Sequence, residues 1–132
     1  MIAENNYGYA GPASTLLGRA TTPGLARVDL SGGRCSVAWT SDEIAPTSVP
    51  KASLANGLVY AYTKKPTLWG VAAWYLTAID VRTGRTAFSV RTGLGTLMNN
   101  HYAAITLAPD GSAYVATLAG MVHVRDTSEN SG

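Results

Sequence analysis

Ala78-Ile79-Asp80-Val81-Arg82-Thr83-Gly84-Arg85-Thr86-Ala87-Phe88 reads as the end of one strand, a tight reversal and the start of the next. Thr83-Gly84 turns the chain, and Asp80 stands where its carboxylate can accept from turn amides. Flanking residues rich in Val, Ile, Thr and aromatics suit a pleated, half-buried surface, so Trp74 to Val81 and Thr86 to Arg91 are expected to form a hairpin. An earlier stretch repeats it without a gap: Leu25, Val28, Asp29 and Gly33 correspond to Leu76, Ile79, Asp80 and Gly84. The bulky apolar residue follows as Trp39 in one copy and Phe88 in the other. The first copy therefore predicts strands at Leu25 to Leu30 and Cys35 to Thr40 around Ser31-Gly32-Gly33-Arg34.

A second type of hairpin lies between and after these two. Ser53-Leu54-Ala55-Asn56-Gly57-Leu58-Val59-Tyr60 resembles Thr106-Leu107-Ala108-Pro109-Asp110-Gly111-Ser112-Ala113-Tyr114, with Asn-Gly or Asp-Gly at each turn. These dipeptides tolerate positive φ and are strong hairpin signals. The repeating unit is four strands, with a period of roughly 46 to 54 residues, the signature of propeller blades. The expected fold is all-β, a partial β-propeller of four-stranded antiparallel blades over residues 1–126. Blade one takes 1–43, beginning with a strand over Met1 to Tyr9. Blade two takes 44–93, with strands near Val49 to Ala55 and at Leu58 to Thr63 before the quoted hairpin. Blade three takes 94–126, with strands at Ala103 to Ala108, Ser112 to Leu118 and Met121 to Arg125, and a polar tail follows over 127–132. No window carries the apolar spacing and caps of a long helix, so helices should be few or absent.

The quoted segment resembles the docking motif of quinoprotein-like propellers of the PQQ-repeat type, Ala-x-Asp-x-x-Thr-Gly-Lys-x-x-Trp. Phe88 stands in place of the terminal Trp, Asp29, Gly33 and Trp39 form a looser copy, and the third copy stops at Asp126. The resemblance implies that the terminal aromatic wedges between neighbouring blades, so Phe88 is expected to be buried. It implies a periplasmic or secreted setting, whereas Met1-Ile2-Ala3-Glu4 shows no basic start followed by an apolar run. The compartment therefore stays open. Quinone-dependent dehydrogenases of the family use adjacent cysteines and a calcium held by Glu, Asn and Asp from many blades. This chain has one cysteine, Cys35, which is expected to be a buried thiol, and too few blades for such a centre.

Ten basic and eight acidic residues give a net charge of +2, and the longest basic run is Lys64-Lys65, which is no nucleic-acid footprint. No stretch is apolar enough for a membrane span. Fewer than three complete blades leave open edges and faces, so an oligomer, or the remainder of a longer propeller chain, is expected to cover them.

Strand alternation puts the tight turns on one face and the long connections, Ala10 to Gly24, Lys64 to Ala73 and Thr92 to Tyr102, on the other. Long loops on a rigid scaffold are where binding resides. Glu4-Asn5-Asn6-Tyr7 and Asn99-Asn100-His101-Tyr102 echo one another there. Glu4, Asn5, Asn6, Asn99, Asn100 and His101 are the candidate ligand-binding residues, with Lys64 and Trp69 as an outer wall. The competing reading is that the amides satisfy buried backbone ends. No Ser or Cys motif points at His101 as a general base, and His123 is expected to be structural within a strand. The expected function is non-catalytic binding of a small ligand or protein partner through the long-loop face, with no catalytic residue, metal site or cofactor. The alternative is the carboxy-terminal part of a propeller enzyme, a calcium-dependent lactonase or hydrolase or a quinone-dependent dehydrogenase.

Overall fold

The computed structural model describes residues 1–19 and 21–126, so the expected tail at 127–132 lies outside the described residues. The chain is all-β and forms three small antiparallel sheets in sequence order. The first contains β1 (Ile2–Glu4), β2 (Leu25–Ser31) and β3 (Arg34–Ser41). The central sheet contains β4 (Lys51–Ser53), β5 (Leu58–Pro66), β6 (Ala72–Asp80) and β7 (Thr86–Leu94). The third contains β8 (Ile105–Leu107), β9 (Ala113–Thr117) and β10 (Gly120–Val124). Two short 3-10 segments, Pro12–Gly18 and Thr96–Met98, lie in the connections.

Each expected hairpin forms at its expected turn, but strand ends move. The strand expected over Met1 to Tyr9 stops at Glu4, because the Asn5 side chain accepts the Tyr7 amide at 3.0 Å and folds the chain into a turn. In the central sheet the pairing runs further than expected. Lys64 pairs with Trp74 and Pro66 with Ala72, leaving only Thr67 to Val71 as the connection.

β5 and β6 are buried on both faces, and the two-residue alternation of a strand separates their side chains into two cores. Tyr60, Tyr62, Trp74, Leu76 and Ala78 pack against Ile105, Ala113 and Val115 of the third sheet. On the opposite face Ala61 and Ile79 pack with Leu25, Trp39 and Ala45. The central sheet is thus the middle layer of three.

The quoted turn is a joint as well as a reversal. Asp80 Oδ1 accepts the amides of Arg82 (2.8 Å) and Thr83 (2.9 Å), and these bonds hold its carboxyl below the usual carboxylate range. The neighbouring Val81 carbonyl accepts both the Trp39 indole N–H (2.8 Å) and the Arg27 guanidinium (3.0 Å) from the first sheet. Arg27 is aimed by Asp29, at 2.7 and 2.9 Å. Trp39 lies on Gly84, where a Cβ would come within 2.7 Å of the indole and where φ is +72°. Only glycine suits that place.

The expectation for Phe88 fails, since it is 40% exposed and meets Tyr60 edge-on at 6.2 Å. Trp39 is covered by the turn of the following sheet. Cys35, expected to be buried, is exposed, because its partner Leu30 and nearby Val37 are also exposed, at 69% and 62%, on a stretch that nothing covers.

Trp39→Ala is expected to cost about 3 to 5 kcal/mol, the range for an enclosed aromatic, and Phe88→Ala about a third of that. Urea melts of the two variants check this order, and equal losses would contradict it.

Candidate functional site

The long connections after β1 and after β7 meet. The Asn6 amide donates to the Tyr102 hydroxyl at 3.0 Å, and the Tyr9 hydroxyl lies 2.7 Å from Nδ1 of His101. Asn99 Nδ2 donates to the same Tyr9 hydroxyl at 3.3 Å. Three rings gather around these bonds. Tyr9 meets Tyr102 edge-on at 5.4 Å, and His101 lies 5.9 Å from Tyr9 and 5.8 Å from Tyr102. More than ninety residues separate the two strips in sequence.

Backbone geometry fixes one side of this cluster. His101 and Tyr102 both have positive φ, 43° and 65°, a conformation that costs a non-glycine residue about 1 to 2 kcal/mol. Asn99 and Asn100, both buried, hold it in place. Asn99 Oδ1 accepts the His101 amide at 2.8 Å. Asn100 Oδ1 accepts the Thr47 hydroxyl at 2.7 Å, and its Nδ2 donates to the Ala103 carbonyl at 3.0 Å. The Tyr102 amide donates to the Thr47 carbonyl at 2.8 Å, and Val49 bridges Ala104 in parallel. Such conformations persist only where surrounding bonds hold them. Here they turn the imidazole and one phenol outward.

The candidate residues therefore divide. Asn6, Asn99 and His101 come together. Asn100 is bonded at the junction between the central and third sheets, and Asn5 accepts the Tyr7 amide in its own turn while lining a hollow beside Glu4. Glu4 lines a separate hollow of about 300 Å³ with Ala3, Pro23, Gly24, Thr40 and Asp42. Its Oε2 is buried without a hydrogen-bond partner among the described residues, and burial pushes its carboxyl up to about 7.

Lys64 is corrected from loop to strand. It is 1% exposed and sits beside Trp74 on the face turned toward the third sheet. Its ammonium has no hydrogen-bond partner among the described residues, and burial lowers its pKa. Trp69 stays on a connection, 89% exposed, but no contact joins it to the amides. His123 is in β10, stacked on Tyr114 at 4.5 Å and 4°.

Tyr9 and the phenol of Tyr102 join the cluster although neither is among the candidates read from the sequence. The Tyr7-Gly8-Tyr9 spacing beside two asparagines was the available signal, since Gly8 breaks a strand pattern. Among the described residues no three His, Cys, Asp or Glu side chains gather as metal ligands.

Glu4 supplies a pH test. Its folded-state value lies above the ordinary 4.5, so the folded protein binds the extra proton. The Glu4 contribution to stability is full below 4.5 and is lost as pH rises through about 7. Glu4→Gln should flatten this slope and raise Tm above pH 7. Thermal melts at a series of pH values check it, and an unchanged slope would contradict it. Compared with family models, with curated proteins and with solved structures, the chain matches none.

Proposed function

We propose that the three sheets are successive blades of a quinoprotein-like propeller, and that the chain is a non-catalytic segment binding a small polar ligand through its long-loop face. The observation that carries the binding reading is the meeting of Asn6, Tyr9, Asn99, His101 and Tyr102 from two distant connections. Convergent polar groups set among ring faces are what a small-molecule site requires. The repeat of Trp39 and Phe88 behind equivalent turns supports the propeller reading, as does stacking of successive sheets face to face.

The chemistry favours an uncharged ligand carrying a ring and several hydroxyls, of the sugar type. Phenol and imidazole faces stack on such a ring, while amide and hydroxyl groups both donate and accept. No carboxylate, lysine or arginine touches the cluster among the described residues.

Titration with a panel of mono- and oligosaccharides, followed through the ring resonances of Tyr9 and His101, tests the reading. An Asn6→Ala, His101→Ala double variant should weaken binding by about tenfold or more, or roughly 1.4 kcal/mol. Silence of both resonances across the panel would contradict it, and so would a double variant that keeps full affinity.

A further inference from the structure

A second feature of the loops is apolar and convex. In the connection between β5 and β6, Leu68 is 100% and Trp69 89% exposed. Beside them Leu17 is 82% exposed and Leu16 47%, both from the 3-10 segment Pro12–Gly18. Leu16, Leu17, Trp69, Gly70 and Val71 line one shallow hollow, which Thr96 also borders. Leu97, 66% exposed, follows Thr96 in the chain. Gly70 approaches closely enough that a Cβ would lie 3.7 Å from the Leu17 backbone. Leu17 itself has φ of 55°, a strained conformation for leucine that persists with its side chain in water.

The charge around this tip has one sign. The three segments that build it and flank it, residues 5–24, 64–79 and 91–109, contain no Asp or Glu. Arg19 follows the leucine pair, Lys65 precedes the Leu68-Trp69 tip, and Arg91 lies across from Tyr75 in the sheet. All three are exposed, with the Lys65 ammonium 4.9 Å above the Tyr75 ring.

We propose that this tip inserts into the headgroup region of an anionic lipid bilayer. A protruding apolar tip with one indole fits the interface, where tryptophan concentrates. Exposed cations on segments that carry no carboxylate fit the negative surface potential of anionic lipids. Leu16, Leu17, Leu68, Trp69 and Leu97 enter the acyl boundary, while Arg19, Lys65 and Arg91 meet headgroups. The interaction is peripheral; no helix of the described residues is long and apolar enough to cross a membrane.

Tryptophan fluorescence reads this directly, because Trp39 and Trp74 are 8% and 0% exposed and Trp69 is the exposed indole. Phosphatidylcholine vesicles containing about one third phosphatidylglycerol should shift the emission to the blue, and brominated lipid should quench it. Added salt should weaken the response. Leu68→Glu, at a fully exposed position, should keep the native melting temperature and weaken vesicle binding by about tenfold or more, with Trp69 still present as reporter. No shift on these vesicles would overturn the proposal. An equal shift on pure phosphatidylcholine would overturn the role of charge. A shift that grows with protein concentration in the absence of lipid would assign the tip to a protein partner instead.

Discussion

Burial of β5 and β6 on both faces is the constraint on which the remaining structure depends. A strand half-buried in a two-layer protein needs one apolar face, but these two strands must satisfy two different neighbours. They do so with unlike sets of side chains. The face toward the third sheet holds rings, with Tyr62 stacked on Trp74 at 5.5 Å and the Trp74 indole donating to the Gly95 carbonyl. The face toward the first sheet holds smaller groups and a chain of hydroxyls, Thr63 to Thr77 to Ser89, at 2.7 and 2.9 Å. Because the middle layer is fixed on both sides, the connections of the outer sheets are brought to defined places.

The two joints differ in character. Between the first and central sheets, one carbonyl, that of Val81, receives an indole and a guanidinium, and a glycine makes room for the indole. Between the central and third sheets, Asn100 and Thr47 make the polar link at the sheet ends. The second joint sits next to the ring cluster, so the bonds that dock the third sheet also hold His101 and Tyr102 in their strained conformation. Structure and candidate site share residues there: both asparagines are buried, Asn100 bonded to Thr47 and Ala103 and Asn99 to the His101 amide and the Tyr9 hydroxyl.

Much of the strand pattern was legible in the sequence because the turns are explicit. Asn56-Gly57, Asp110-Gly111 and Thr83-Gly84 fix where the chain reverses, and β-rich segments between them leave few alternatives. Strand ends were less legible, since Lys64-Lys65-Pro66 has the composition of a loop and yet pairs across to Ala72, held by a neighbour that no local pattern reveals. Burial was less legible than the turns. Trp39 and Phe88 occupy equivalent positions in the repeat, but Trp39 is covered by the turn at Gly84 and Phe88 is 40% exposed. The echo of Asn5-Asn6 and Asn99-Asn100 pointed to where the two connections meet, while of the three rings that dominate the cluster only His101 is among the candidates read from the sequence.

The long-loop face thus carries two chemically distinct features, a polar ring cluster for which we propose a sugar-type ligand and an apolar tip for which we propose a lipid surface. Both depend on the same three-layer stack. Hydrogen exchange resolved by residue tests that stack most directly. If the central sheet is enclosed on both sides, amides of β5 and β6 should be the slowest in the chain and should exchange only through global opening. Amides of β5 and β6 that exchange as fast as those of β1 and β10 would contradict the account.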